Sequence, residues 1–70
     1  MDRVAVESSV LRSVGYDRRA RLLELEFLGG RVYEYAAVPA RVHCELMAAD
    51  SHGRYFVRRI RGRYAYRRLS

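Results

Sequence analysis

Leu22-Leu23-Glu24-Leu25-Glu26-Phe27-Leu28-Gly29-Gly30-Arg31-Val32-Tyr33-Glu34-Tyr35-Ala36 is the stretch from which the fold can be read. Leu23, Leu25 and Phe27 alternate with Glu24 and Glu26; Tyr33 and Tyr35 alternate with Val32 and Glu34. Successive side chains of a strand point to opposite faces, so each run describes a strand with one apolar and one wet face. Gly29-Gly30 between them supplies the positive φ angles of a tight turn. The reading is a hairpin, with Leu22–Leu28 returning as Arg31–Ala36.

Working outward, Ser8–Tyr16 is rich in valine and serine and reads as a preceding strand, and Asp17–Arg21 has the composition of a turn. Three sequential strands with short links make an antiparallel meander. Residues 1–7 read as a lead-in, at most partly ordered. Downstream, Val38-Pro39 changes the period, and a proline in a helix's first turn removes no hydrogen bond. On a helical wheel Val42, Leu46 and Ala49 fall within about 60° and face the sheet. Cys44, Met47 and Ala48 form a second apolar patch nearly opposite, for which the next segment is the obvious cover.

Asp50-Ser51-His52-Gly53 breaks that helix and offers Ser51 as the cap of another, expected over Arg54–Arg61 and ended by Gly62. Phe56, Val57 and Ile60 would form its buried stripe. Arg63–Arg67 alternates again, leaving two readings: a short edge strand, or an ordered basic arm over residues 62–70. The expected fold class is α+β. It is a single domain over residues 1–70, with a three-stranded antiparallel meander packed against two short helices and a C-terminal edge strand as the open element.

Size and composition narrow the function. A chain of 70 residues buries only about 60 % of its unfolded surface, which argues against an enzyme with a deep, preorganised cleft. Half the residues are apolar, too many for a disordered chain. Cys44 is the single cysteine, so no internal disulfide forms and a cytoplasmic setting is expected. No apolar run follows Met1 or approaches membrane-spanning length, so neither a secretory leader nor a membrane partner is expected.

The charge is lopsided. Arg54 to Ser70 holds seven arginines and no carboxylate, whereas the first 53 residues hold seven arginines and eight acids. Every basic residue is arginine, as GC-rich coding tends to produce, but codon usage does not explain why the acids stop at Asp50. Tyr55, Phe56, Tyr64 and Tyr66 sit among those arginines. Positive charge interleaved with flat aromatic surface suits a polyanion that carries bases.

Several segments, in this order and spacing, resemble the KTSC domain: Val14-Gly15-Tyr16-Asp17, Tyr33-Glu34-Tyr35, Val38-Pro39, Ser51-His52-Gly53-Arg54-Tyr55-Phe56 and Ile60-Arg61-Gly62-Arg63-Tyr64. The resemblance runs from about Ser8 to Tyr66. That bacterial module is named for its place at the C-terminus of some lysyl-tRNA synthetases and also occurs alone, the form this chain resembles. What the resemblance implies is RNA binding, with no established activity. Val57 stands where the family often has asparagine, and Ala65 where proline is common between the last two tyrosines.

The candidate site residues follow. Arg54, Arg58 and Arg61 stack within about 40° on one helix face and would track phosphates, since guanidiniums grip phosphate in a forked geometry. Arg63, Tyr64, Tyr66, Arg67 and Arg68 would extend the contact. Tyr33 and Tyr35 share a sheet face and are either stacking platforms or core against the helices, the core reading being favoured because Leu23, Leu25 and Phe27 alone make a thin core. The expected partner is RNA, tRNA-like or otherwise structured, bound with low sequence preference and without catalysis.

Other chemistry is poorly supplied. His43, Cys44 and His52 lack the convergent spacing of a zinc site, so no metal or other cofactor is expected. Cys44 with a histidine lacks an evident pocket for nucleophilic catalysis. Glu24 and Glu26 read as a solvated strand face with Arg31 as their ion-pair partner. Gly29-Gly30 is not a phosphate loop, because no Gly-Lys-Ser/Thr follows. The rival class is a protein-interaction module, a homodimer through Cys44, Met47 and Ala48.

Overall fold

The computed structural model describes all 70 residues. Five strands and two helices follow in the order β1 (Arg3–Ala5), β2 (Leu11–Asp17), β3 (Leu22–Phe27), β4 (Val32–Tyr35), α1 (Ala40–Ala48), α2 (His52–Arg59) and β5 (Tyr66–Arg68). The strands form one antiparallel sheet in the order β1-β2-β3-β4-β5. The α+β class and the central meander stand, but the sheet has five strands where the sequence suggested three and an optional edge.

The hairpin forms as its alternation dictates. Leu25 pairs with Tyr33 and Leu23 with Tyr35 on one face, Glu24 with Glu34 and Glu26 with Val32 on the other. Gly29 and Gly30 take φ of 100° and 93°, which only glycine adopts freely. Asp17 Oδ1 accepts from the backbone N–H groups of Arg19 and Ala20, which makes the preceding turn.

β2 carries a bulge between Leu11 and Ser13. The extra residue there, Arg12, breaks the alternation. Leu11, paired with Phe27, therefore enters the core, while Ser13, paired with Glu26, faces the opposite side. Within the lead-in of residues 1–7, expected to be at most partly ordered, residues 3–5 form an edge strand. They pair with Ser13–Gly15, and Gly15 is what admits them: a Cβ there would lie 2.9 Å from Arg3 Cγ and 3.1 Å from the Asp2 carbonyl. Of the two readings for the C-terminus, edge strand or ordered basic arm, Tyr66–Arg68 takes the edge strand. Tyr35 pairs with Tyr66 and Tyr33 with Arg68, and the Leu69 N–H donates to the Val32 carbonyl.

Both helices cover the same face. Leu11, Val14, Leu23, Leu25, Tyr35, Val38, Val42, Leu46, Phe56 and Ile60 form the buried core. Val42 and Leu46 face the sheet as expected, but Val57 does not join Phe56 and Ile60: it is 53 % exposed, so an asparagine there would also face water. α2 begins at His52, two residues before the expected start, and ends at Arg59 rather than Arg61. Ser51 is its cap, with Oγ accepting from the Arg54 N–H at 3.2 Å. His52 Nδ1 reaches the Leu46 carbonyl at 2.8 Å and ties the two helices together, in the tautomer that carries the proton on that nitrogen.

Gly53 is the tightest contact. A Cβ at this position would stand 2.6 Å from Val10 Cγ2 and 3.0 Å from Val10 Cβ. We therefore expect Gly53→Ala to destabilise the fold by about 1–3 kcal/mol, the usual cost of overpacking, measured by chemical denaturation. His43 of α1 stacks on Tyr16 of β2, with centroids 4.7 Å apart, and burial lowers its pKa from 6.5. The unfolded chain then takes up a proton that the native one resists, so stability falls as pH drops through 6.5. His43→Phe keeps the ring and should make that acid-side loss smaller in denaturation curves taken across the same pH range.

Candidate functional site

The period-two alternation sorts the sheet's polar side chains by face. On the face away from the helices, Glu24 and Glu34 lie directly opposite each other, with Glu26 beside them. Adjacent carboxylates repel, and the edge strands supply the counter-charges. Arg3 of β1 donates to Glu24 Oε2 at 2.7 Å, and Arg67 of β5 to Glu34 Oε1 at 2.9 Å. Ser13 Oγ donates to Glu26 Oε1 at 2.7 Å. Arg31 is not the partner of these glutamates, correcting that expectation.

Arg31 instead belongs to the helix side. There Phe27, Tyr33, Tyr35, Phe56 and Tyr66 line an open pocket of about 500 Å³, together with Arg31, Arg61 and Gly62. The five rings touch in a closed circuit. Centroid distances run Tyr66–Tyr33 5.6 Å, Tyr33–Phe27 5.7 Å, Phe27–Phe56 5.2 Å, Phe56–Tyr35 5.9 Å and Tyr35–Tyr66 5.7 Å. All lie within the span typical of interacting aromatic pairs. Phe56 and Tyr35, 7 % and 5 % exposed, make the floor; Tyr66, 62 % exposed, makes the outer wall. No carboxylate lines the pocket.

Each wall has a structural cause. Strand pairing fixes Tyr33, Tyr35 and Tyr66 side by side on β4 and β5. At the end of α2 the N–H groups of Ile60 and Arg61 both donate to the Phe56 carbonyl, and Gly62 at φ 74° turns the chain away. That turn carries Arg61 off the helix and over the rings. Burial above all, then the neighbouring phenols of Tyr33 and Tyr66, push the Tyr35 hydroxyl up to about 12, with Arg61 pulling the other way. The phenol is thus a neutral donor at ordinary pH.

The other candidates spread over separate surfaces. Arg54 and Arg58 border a second groove with Arg59, Tyr55, Glu45 and Asp50. Tyr55 donates to Glu45 at 2.6 Å; burial first, and then this bond, push its hydroxyl up to about 12. Arg54, Arg58 and Arg61 therefore do not form one continuous stripe, because α2 ends at Arg59. Arg63 Nε donates to the Arg58 carbonyl, Arg68 Nε to the Ser70 carbonyl, and Tyr64 packs against the core. Arg67 sits on the opposite face with Glu34.

Tyr35 belongs to the buried core and Tyr33 packs against it, and both rings also line the pocket. Arg31, Phe27 and Phe56 were missed as site residues. The available signal was the shared parity of Phe27 with Tyr33 and Tyr35 in the hairpin. Cys44 and Ala48 are exposed, uncovered by α2, and Met47 is half-buried against the core. No cluster of three or more His, Cys, Asp or Glu side chains is placed to hold a metal ion. No helix is long and apolar enough to cross a membrane.

Comparison with known proteins gives these features a frame. An uncharacterised protein of Stutzerimonas stutzeri is 54 % identical over 56 residues, 80 % of this chain and 79 % of that one. The lysine–tRNA ligase of Nostoc punctiforme is 38 % identical over 64 residues, 91 % of this chain but only 11 % of the ligase. The crystal structure of a KTSC domain protein from Yersinia pestis superposes with a TM-score of 0.94 at 40 % identity, covering 99 % of this chain and 97 % of that one. With the KTSC domain matching residues 7–64 as well, this chain belongs to the KTSC domain family.

Proposed function

We propose that this KTSC domain is a non-catalytic RNA-binding module that holds its ligand by charge and stacking, with low sequence preference. The observation that carries the reading is the meeting of five aromatic rings with Arg31 and Arg61 in a pocket that no acid lines. Arg54, Arg58 and Arg59 of α2 border a second groove and add positive charge there, although Glu45 and Asp50 dilute it. Phosphate contacts of this kind position a nucleic acid without reading its sequence.

The chain has no asparagine, glutamine, threonine or lysine, so the amide side chains that pair with adenine edges are missing and base-edge reading is left mainly to arginine. Recognition led by shape and charge is what remains. One relative's name supports RNA as the polymer to test first. A ligase whose name pairs lysine with tRNA carries a segment 38 % identical to this chain, and a structured, tRNA-like RNA of the cytoplasm is therefore the first ligand to try.

Each phosphate neutralised on a single strand contributes a slope of about −0.7 to the log–log dependence of affinity on salt. Three to five contacts should give a total slope between about −2 and −4. Replacing Arg54, Arg58 and Arg61 together with alanine should weaken tRNA binding and flatten that slope by about 2. Circular dichroism should meanwhile report an unchanged fold. An affinity that ignores both salt and the triple replacement would be incompatible with the proposal.

A further inference from the structure

The ring circuit is more specific than a basic surface requires. Charge tracking needs exposed arginines, yet here Tyr66 is held 62 % exposed on an edge strand, against Tyr33 and Tyr35. The hydrogen bonds of the chain engage the hydroxyls of Tyr16 and Tyr55, but none engages those of Tyr33, Tyr35 or Tyr66. Every fully buried side-chain polar atom has a partner, so the Tyr35 hydroxyl meets water, and the pocket is where Tyr35 lines open space. The cavity, about 500 Å³, is of the size that takes a small flat ligand.

An aromatic box by itself suits two ligand classes: a cation held against the ring faces, or a flat neutral ring stacked on them. The rim decides between them. Arg31 and Arg61 repel a cation, and no carboxylate is present to offset them. The same guanidiniums favour an anion attached to the flat ring. Aromatic floor, cationic rim and free phenol donors together describe a nucleotide.

We propose that this pocket seats one unpaired nucleobase against Tyr66, Tyr33 and Tyr35, with Arg31 and Arg61 holding its phosphate. The inference rests on the RNA-binding reading and deepens it by naming the unit recognised; it gives a phosphate contact to Arg31, distant in sequence from the basic C-terminal segment but lining the same pocket as Arg61. Stacking accepts any base, so the pocket is consistent with low sequence preference. It does demand a base free of its partner strand. Loops, bulges and ends qualify, and a continuous duplex does not.

The test uses the full chain and two kinds of probe. In the first arm, adenosine 5′-monophosphate and adenosine are titrated by NMR, with tyrosine and Gly62 signals as the readout. The monophosphate should move the signals of Tyr33, Tyr35, Tyr66 and Gly62, and adenosine should bind more weakly. In the second arm, a single-stranded oligoribonucleotide is compared with its duplex, for the native chain, Tyr66→Ala and Arg31→Ala. Both positions are exposed, and neither side chain belongs to the buried core. Tyr66→Ala should cut single-strand affinity by about 5- to 150-fold, the loss of one stacked base, and leave duplex affinity unchanged.

Single-strand and duplex binding that both ignore Tyr66→Ala would overturn the pocket while leaving RNA binding by the arginines intact. Conversely, monophosphate shifts mapped to the pocket in a chain that binds no RNA would support the pocket and end the polymer reading. Adenosine binding as tightly as its monophosphate would overturn the role of Arg31 and Arg61. A trimethyl-lysine peptide that fills the pocket where the nucleotide does not would overturn the proposal altogether.

Discussion

The alternation of β3 and β4 is the constraint on which the molecule rests, because it assigns each polar group a side of the sheet. Leu23, Leu25, Phe27, Tyr33 and Tyr35 share one face; Glu24, Glu26 and Glu34 share the other. A one-residue slip would carry glutamates into the core and leucines into water, so the register is strongly specified. The consequence for charge is indirect. By drawing three of the eight acids onto the helix-free face, the same pattern keeps them away from the aromatic pocket. The edge arginines Arg3 and Arg67 go with them, as their ion-pair partners. What remains over the rings is Arg31 and Arg61, without a carboxylate beside them.

The acidic face also explains why the arginine-rich end of the chain is less uniform than its composition. Net charge measures how many guanidiniums there are, and strand parity decides where they point. Arg67 and Arg68 are neighbours in sequence on opposite faces of β5, one opposite Glu34 and the other opposite Tyr33. The pair of Arg67 with Glu34 leaves the arginine side chain 73 % exposed, where such contacts contribute little to stability. Its effect is on the map of potential, since the Arg67 charge lies on the acidic face and not beside the rings.

The hairpin was legible because alternation, two adjacent glycines and short length agree at every level. Ser51 was legible as a cap for the same reason: a local rule acting within three residues. β1 was not legible. Three exposed residues carry no periodicity, and their place depends on Gly15, a residue distant in sequence whose missing side chain opens the sheet edge. The limits of α2 were misjudged because helical spacing was extended through Ile60 and Arg61, while the chain tightens at Phe56 and turns at Gly62. That difference moves Arg61 from a phosphate stripe to an aromatic rim. The pocket itself was out of reach of sequence reading, since it assembles residues from the hairpin, the end of α2 and β5.

A domain of this size has little interior to spend on a cleft. Only 14 of its 70 residues are buried, and a deep cavity would empty the core that holds it together. The structure meets both demands with shared residues. Tyr35 and Phe56 belong to the buried cluster and also form the pocket floor, so the site is the outer surface of the core instead of a hole within it. Rings already fixed by strand pairing and core packing lose little further freedom when a ligand stacks on them, which lowers the entropic cost of binding. Long exposed arginine side chains have no such support, and ordering them costs conformational entropy. In the proposed binding mode, directionality therefore comes from the aromatic floor, while the arginines around it provide attraction and reach.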